Sequence, residues 1–487
     1  MSELLKDLEP RSLWRHFFGI SRIPRCSGSE EAIRAHVVNL AEGHGLAVVL
    51  DGAGNVIVRK EAHPEMKDAP VVVLQSHLDM VCEKNLDVAH DFTKDPLQIV
   101  RTGDWIGAEG TTLGSDNGIG VAAMLAVLED RSLVHGPLEA LFTVDEERGL
   151  CGASHLASGS LQGEILLNFD SEEEGTFVIG CAGGGDSFFK IPVERKRRAL
   201  DAGLELKITG LRGGHSGIDI HLGRGNALKM LARALVSLSE SVPFELVGVQ
   251  GGDKHNAIPR EAVALLQIRP EDVEKAREIL DRVLGEIQSE CSDTDPDLGW
   301  GLTLHEMRWQ PLTKVHQDLL IDVLRILPHG VLAASRTMAG LVETSTNLAS
   351  VRTEQSHVEI VESSRSARES SLEEVRGSLR ALARIIRCEI KQPQGYPGWL
   401  PEPDSSFVAR MKRIYEDLFG KEPEIKAVHA GLEPGVLSTK CENVKMISFG
   451  PDIRDPHSPR ERVSIPSVER FWKLLVEVLR QLRNLDP

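Results

Sequence analysis

Three short apolar runs, VVVLQ at 71–75, LEALFTV at 138–144 and EILLNF at 164–169, each give way to a polar turn carrying a histidine or carboxylates. Runs of this length are too short for helices, and their lack of strict alternation predicts strands buried on both faces of a sheet. A helix beginning near Asn117 and running through GVAAMLAVLED separates the first two. Strands with apolar cores separated by helices predict an α/β domain with a largely buried sheet. In such a sheet, functional groups collect beyond the carboxyl ends of the strands. His77, Glu146, Glu147 and Asp170 each stand just past such a run, and Asp116 opens the intervening helix.

These residues, with His457 far downstream, form a mixed imidazole and carboxylate set of the kind that holds two zinc ions. His77 and Asp79 are two apart on an extended strand end, so their side chains share a side. That spacing suits a ligand and a carboxylate that fixes its ring tautomer. Asp116 lies in GTTLGSDNGIG, where close glycines leave room for both carboxylate oxygens to reach cations, although an ordinary N-cap aspartate has the same local pattern. Glu146 and Glu147 follow a buried strand directly, with Asp145 before them. Adjacent carboxylates near a core need compensating cations, and one can bind metal while the other serves as general base. Asp170 ends the next strand, and His457 sits in a proline-bounded loop. The pattern points to metal-assisted hydrolysis.

A chain of 487 residues is too long for one ordinary core, which predicts two or three domains. Helices are expected at about 3–19 and 29–43, the second with Ser29 as N-cap, followed by a hairpin in LAVVLDGAGNVIVRK. From about 192 to 390 the order strand, helix, strand, strand, helix occurs twice, at about 203–291 and 298–388. It reads as a duplicated α+β unit inserted into the α/β domain, whose parts are then 1–191 and 391–487. A formal charge of −17 argues against a nucleic-acid partner. No apolar stretch is long enough for a membrane span, and the charged start MSELLKDLEPRSLW lacks a signal-peptide core, so a cytoplasmic location is expected. The seven cysteines include no CxxC pair and are expected to be reduced thiols.

The segments SHLDMV, GTTLGSDNGIG, TVDEERGLCGA, NFDSEEEG, GLRGGHSG, HAGLEPG and SFGPDIRDPHSP resemble the M20 co-catalytic zinc peptidases, most closely their bacterial aminoacyl-histidine dipeptidase branch. The resemblance runs from the first helix to the last. It implies a zinc-peptidase-like catalytic domain with a mixed central sheet flanked by helices, and an inserted α+β lid. It implies two Zn2+ ions, with Mn2+ or Co2+ as alternatives: His77 and Asp170 on one, Glu147 and His457 on the other, and Asp116 bridging. Asp79 would orient His77, and Glu146 would be the general base toward a metal-bridging hydroxide. His215 in GLRGGHSG looks like the lid histidine that stabilises the oxyanion. Asn256, Arg365 and Glu433 look like substrate contacts, the arginine for a peptide carboxylate and Glu433 for a free amino group. Pro434 departs from the branch, which usually has a cysteine there, and this bears on preference for a C-terminal histidine. The expectation is a dipeptidase acting on small Xaa-His peptides, and a homodimer through the lid is compatible with it. The alternatives are an N-acyl-amino-acid hydrolase or tripeptidase on the same site, or a non-catalytic peptide-binding homologue.

Overall fold

A computed structural model describes residues 6–441 and 443–483, and the chain divides into two compact units. The first comprises Met1–Cys181, Trp399–Ala427 and Leu432–Pro487; the second comprises Ala182–Gly398 and Val428–Gly431.

The first unit is built on an eight-stranded sheet. The strand Val72–His77 runs parallel to Leu138–Thr143 on one side and Ile165–Asn168 on the other, and Lys445–Ser448 extends the parallel set. All four strands lie in the core, with Val73, Leu74, Leu141, Phe142, Leu166, Leu167 and Ile447 inaccessible or nearly so. Their continuous apolar runs follow from burial on both faces. The expected hairpin is present as Ala47–Leu50 against Val56–Lys60, and it joins the sheet antiparallel to Leu138–Thr143. The helix Ser115–Glu129 is buried along almost its whole length from Asn117 to Leu128, as a helix apolar all round must be. The first helix spans Arg11–Ile20, starting later than expected because Pro10 stands immediately before it; residues 3–5 of the expected helix lie outside the described residues.

The second unit is built on a nine-stranded sheet ordered Gly299–Leu304, Ala202–Thr209, Ala262–Ile268, Phe244–Gly251, Val342–Thr353, His357–Ser366, Gly183–Pro192, Glu389–Lys391, with Gly330–Ala334 also paired to Val342–Thr353. Ala227–Ser239, Val273–Glu290 and Lys314–Ile326 contribute to a single apolar core with this sheet. Two sequence expectations are corrected here. The strand Gly183–Pro192 pairs with His357–Ser366 along its full length, so the boundary falls at 181/182 and not at 191/192. The same strand completes the second half of the sheet. Outward from the central Phe244–Val342 pairing, each side has a strand, its hairpin partner and then an earlier strand: Ala202–Thr209 on one side, Gly183–Pro192 on the other. Gly299–Leu304, expected to open the second repeat, is instead an added edge strand against Ala202–Thr209. On the carboxyl side the boundary falls at 398/399, not 390/391, because Tyr396 pairs with Gly184 by backbone hydrogen bonds.

The cysteine expectation also changes. Cys26 and Cys82 form a disulfide with Cα atoms 5.7 Å apart, while the other five are free. The bond joins residues 56 positions apart, brought together by the bridge between Cys26 and Met80, and no local spacing announces it. Among the described residues no helix is long and apolar enough to cross a membrane.

Candidate metal centre

The parallel strands of the first unit deliver their polar ends to one place. His77 closes Val72–His77 and is 1% exposed. Its Nε2 lies 3.1 Å from Asp116 Oδ1 and 3.3 Å from Asp170 Oδ1. On the other side of the ring, Nδ1 lies 3.4 Å from Asp79 Oδ1, placing a carboxylate behind the ligand nitrogen. His457 Nε2 lies 3.1 Å from Asp116 Oδ2 and 3.1 Å from Glu147 Oε2. Each oxygen of Asp116 therefore faces a different imidazole.

Two three-residue groups share this aspartate: His77, Asp116 and Asp170, and Asp116, Glu147 and His457, each with ligand atoms within 4.8 Å of one another. His77, Glu146 and Glu147 form a third group across them. The donor set suits metal cations on a second ground: Glu147 Oε1 is buried with no hydrogen-bond partner among the described residues. A buried carboxylate oxygen left unpaired is costly unless a cation takes its lone pair.

The electrostatics reflect this acidic surplus. His457 is pushed up to about 11 by its hydrogen bonds to Asp116 and Glu147. Burial opposes charge on His77, yet the Asp170 charge and the hydrogen bonds to Asp116, Asp170 and Asp79 hold it well above the usual histidine range. Burial raises Glu146 far above the carboxylate range, and the charges of Asp170, Glu433 and Glu147 add to it. Asp79 goes the other way. Burial would raise it, but hydrogen bonds from His77, the Glu146 N–H and the Ser27 hydroxyl bring it to about 2.

Several residues that support the cluster carry no recognisable signal in the sequence. Glu461 is 3% exposed and accepts from the backbone N–H groups of Leu113, Gly114 and Ser115 and from the Ser115 hydroxyl, at 2.6–2.8 Å. It fixes the turn that presents Asp116. Arg25, 1% exposed, donates to the carbonyls of Leu78, Asp79 and Gly114, tying the His77 turn to the Asp116 turn. Asp79 accepts the N–H of Glu146 and of Glu147 at 3.0 and 3.2 Å, so the residue behind His77 also positions the neighbouring carboxylates. Glu172, pushed up to about 8 first by burial and then by Asp116 and Asp170, adds a further buried acid.

Glu433, expected to receive a substrate amino group, is fully enclosed, with Oε2 held by Gln75 and by the Thr143 hydroxyl and Oε1 without a partner among the described residues. Burial and the nearby charges of Asp170 and Asp79 push it up to about 7. Pro434 is buried in the first turn of the short helix Glu433–Leu437.

The remaining candidates belong to the second unit. His215 lies on the two-residue strand Gly214–His215, paired with Ala257–Ile258. Its Nδ1 accepts from Gly217 N at 3.1 Å and Ile218 N at 3.0 Å, which leaves the ring proton on Nε2 as a donor. Burial, helped by the charge of Arg365, lowers it to about 4, so the ring is neutral. Asn256 is exposed, and its carbonyl accepts from Ser216 N at 2.8 Å. Arg365 is 6% exposed and donates to the Tyr396 hydroxyl at 2.8 Å.

With this geometry in view, residues 73–481 match the family model described as peptidase family M20/M25/M40. The chain belongs to that family. The peptidase is 41% identical over 485 residues to the cytosol non-specific dipeptidase of Escherichia coli, covering 99% of each chain. It superposes on the crystal structure of the aminoacylhistidine dipeptidase of Vibrio alginolyticus with a TM-score of 0.91 at 40% identity, covering 98% of this chain and 99% of that one. Aminopeptidase PepT of Bacillus cereus shares the fold at a TM-score of 0.57 and 14% identity, covering 98% of this chain and 100% of that one.

Proposed function

We propose that this peptidase hydrolyses dipeptides, preferring a C-terminal histidine, at a two-cation centre held by His77, Asp116, Glu147, Asp170 and His457. The observation that carries the reading is the placement of Asp116, one oxygen toward each imidazole, within two ligand groups. The mixed histidine and carboxylate donors suit zinc, with manganese or cobalt as substitutes. Bound there, divalent cations supply Lewis-acid polarisation and lower the pKa of a water. Glu146, its proton affinity raised by burial and by neighbouring acids, takes a proton from the attacking water and passes it to the leaving amine. Asp79 orients His77. His215, neutral with its N–H on Nε2, donates to the developing oxyanion.

Arg365 takes the peptide carboxylate, and Asn256 contacts the substrate from the turn beside His215. Glu433 offers its unpaired Oε1 to the free amino group of the dipeptide, with Oε2 anchored by Gln75 and Thr143. The 41% identity to a cytosolic dipeptidase supports dipeptide chemistry in the cytoplasm, where the Cys26–Cys82 bond would be exposed to reductants. Exposed Val331 and Leu332 on the strand Gly330–Ala334, paired only with Val342–Thr353, make self-association through the second unit part of the reading. Sedimentation of the purified protein tests that association.

The decisive assay is hydrolysis of Ala-His, Gly-His, Ala-Leu and β-Ala-His by metal-reconstituted protein beside a chelated control. Selective, chelator-sensitive cleavage of the histidine-ended peptides is expected. Equal cleavage of Ala-Leu would replace the selectivity with a general dipeptidase. Activity confined to N-acyl amino acids or tripeptides would remove the dipeptide reading.

A further inference from the structure

The two longest adjoining strands of the second unit carry a face that is neither core nor surface. Ser345 lies directly opposite Arg365, and Asn347 opposite Ser363; on the next strand Asp186 lies opposite Ser363. Side chains directly opposite or two apart share a face. The opposite face carries Leu348, Val358 and Ile360 into the apolar core. This face is polar, yet Ser345 is 1%, Asn347 0%, Ser363 6% and Arg365 6% exposed.

Buried polar atoms normally find partners. Here Arg365 Nε and Asn347 Oδ1 have none among the described residues, and neither does Nδ1 of His429, which is 7% exposed and rests on the same face through a 2.7 Å contact of its Nε2 with the Ser345 hydroxyl. Asp186, the acid on this face, lies 3.1 Å from His255 Nδ1 and leaves the arginine's Nε unpaired. His429 is held there by design of the chain. Ala182 N donates to the carbonyls of Val428 and Ala430 at 3.1 and 3.0 Å, and a Cβ on Gly217 would come within 2.2 Å of the His429 carbonyl. The glycine after His215-Ser216 thus admits the His429 backbone beside the His215 turn. Burial, then the positive charge of Arg365, lowers His429 to about 3 against a backbone hydrogen bond with Val342, so its ring is neutral with a single N–H.

We propose that this face receives the C-terminal carboxylate of the dipeptide, and that His429, oriented by the Ser345 hydroxyl, donates Nδ1–H to that carboxylate beside Arg365. The inference rests on the dipeptidase reading above and adds a binding residue to it. A desolvated guanidinium whose Nε is unpaired, beside a buried imidazole whose Nδ1 has no partner among the described residues and an acid already engaged by His255, forms a receptor for a small anion with two acceptor oxygens. The 2.7 Å contact fits donation by the Ser345 hydroxyl to Nε2, the arrangement that leaves the proton on Nδ1.

The test compares Ala-His with its C-terminal carboxamide on metal-reconstituted wild-type, His429→Ala, His429→Asn and Ser345→Ala proteins, with thermal melts to check folding. Wild type should favour the free acid. His429→Ala should raise KM for Ala-His about ten-fold or more, with kcat held within a factor of about three and the KM for the carboxamide unmoved. His429→Asn, whose amide nitrogen stands near the Nδ1 position, should recover most of the loss, and Ser345→Ala should fall between. If the alanine variant does not fold, the asparagine and Ser345 variants carry the comparison. Equal KM shifts for acid and carboxamide, or no shift in the acid, would overturn the inference and leave the dipeptidase reading standing. A wild type that cleaves no dipeptide would remove both.

Discussion

Asp79, Asp116, Glu146, Glu147, Asp170, Glu172 and Glu433 converge at one end of the first unit's sheet against His77, His457 and the buried Arg25, whereas the polar face of the second unit gathers Arg365 and His429 with its one acid already engaged. Both regions are buried, and both leave polar atoms unpaired. The first is dominated by carboxylates, two of them with an unpaired oxygen, and calls for cations; the second holds a buried guanidinium with an unpaired Nε and calls for an anion. The sign of the buried charge thus separates a cofactor site from a substrate site more clearly than burial does.

The contrast can be broken most sharply at the acidic end. Chelation should abolish turnover and also lower the melting temperature, since ligands saturating at about a hundred times Kd stabilise by about 2.7 kcal/mol. A melt unchanged by chelation would mean that the carboxylates balance one another without cations. Next in size, Glu146→Gln should reduce kcat by roughly 10²- to 10⁴-fold with metal content intact by elemental analysis; a fully active, metal-loaded variant would remove the general-base role. Glu461→Gln leaves every ligand in place but weakens the cradle around the Asp116 turn. Metal affinity should fall by about ten- to a hundred-fold, read by competition with a chromophoric chelator.

The smallest effect concerns Glu362, on the helix-packed face of the second sheet, fully buried and bonded to the Thr346 hydroxyl. Burial pushes it up to about 8, above the ordinary 4.5. Between those values its folded form holds a proton that the unfolded chain has released, so the associated stability is full below about 4.5 and is lost progressively as pH rises to about 8. Glu362→Gln should be stabilising on the order of a few kcal/mol at pH 9, by about half as much at pH 6 and nearly neutral at pH 4, measured by denaturant melts. A pH-independent effect of the substitution would show that the carboxyl titrates normally.

Much of this was legible because parallel strands buried on both faces leave unmistakable apolar runs. VVVLQ, LEALFTV and EILLNF correspond to Val72–His77, Leu138–Thr143 and Ile165–Asn168, and the polar residues after them mark the strand ends. His77, Glu147 and Asp170 stood out as candidates for that reason, Asp116 through its glycine-flanked helix start, and His457 through its motif. The antiparallel unit was harder to read. Strand order along the chain does not reveal which strand completes a sheet, so Gly183–Pro192 was assigned to the wrong unit and Gly299–Leu304 to the wrong role. Arg25, Glu461 and His429 act through partners 53 to 348 residues away, and the Cys26–Cys82 bond depends on a tertiary bridge. No local pattern encodes such pairings.

The strand Lys445–Ser448 lies between Ile165–Asn168 and Thr176–Cys181 in the middle of the first sheet, although it is nearly the last strand made. A ribosome therefore completes the whole second unit, which can close its own core, while the first still has an open slot between two strands translated long before. Until residue 448 has left the exit tunnel, those strands present unpaired backbone to the cell, the kind of edge that chaperones cover and aggregates exploit. For this chain, a premature stop just before residue 445 would leave a folded second unit attached to an unfinished and adhesive sheet.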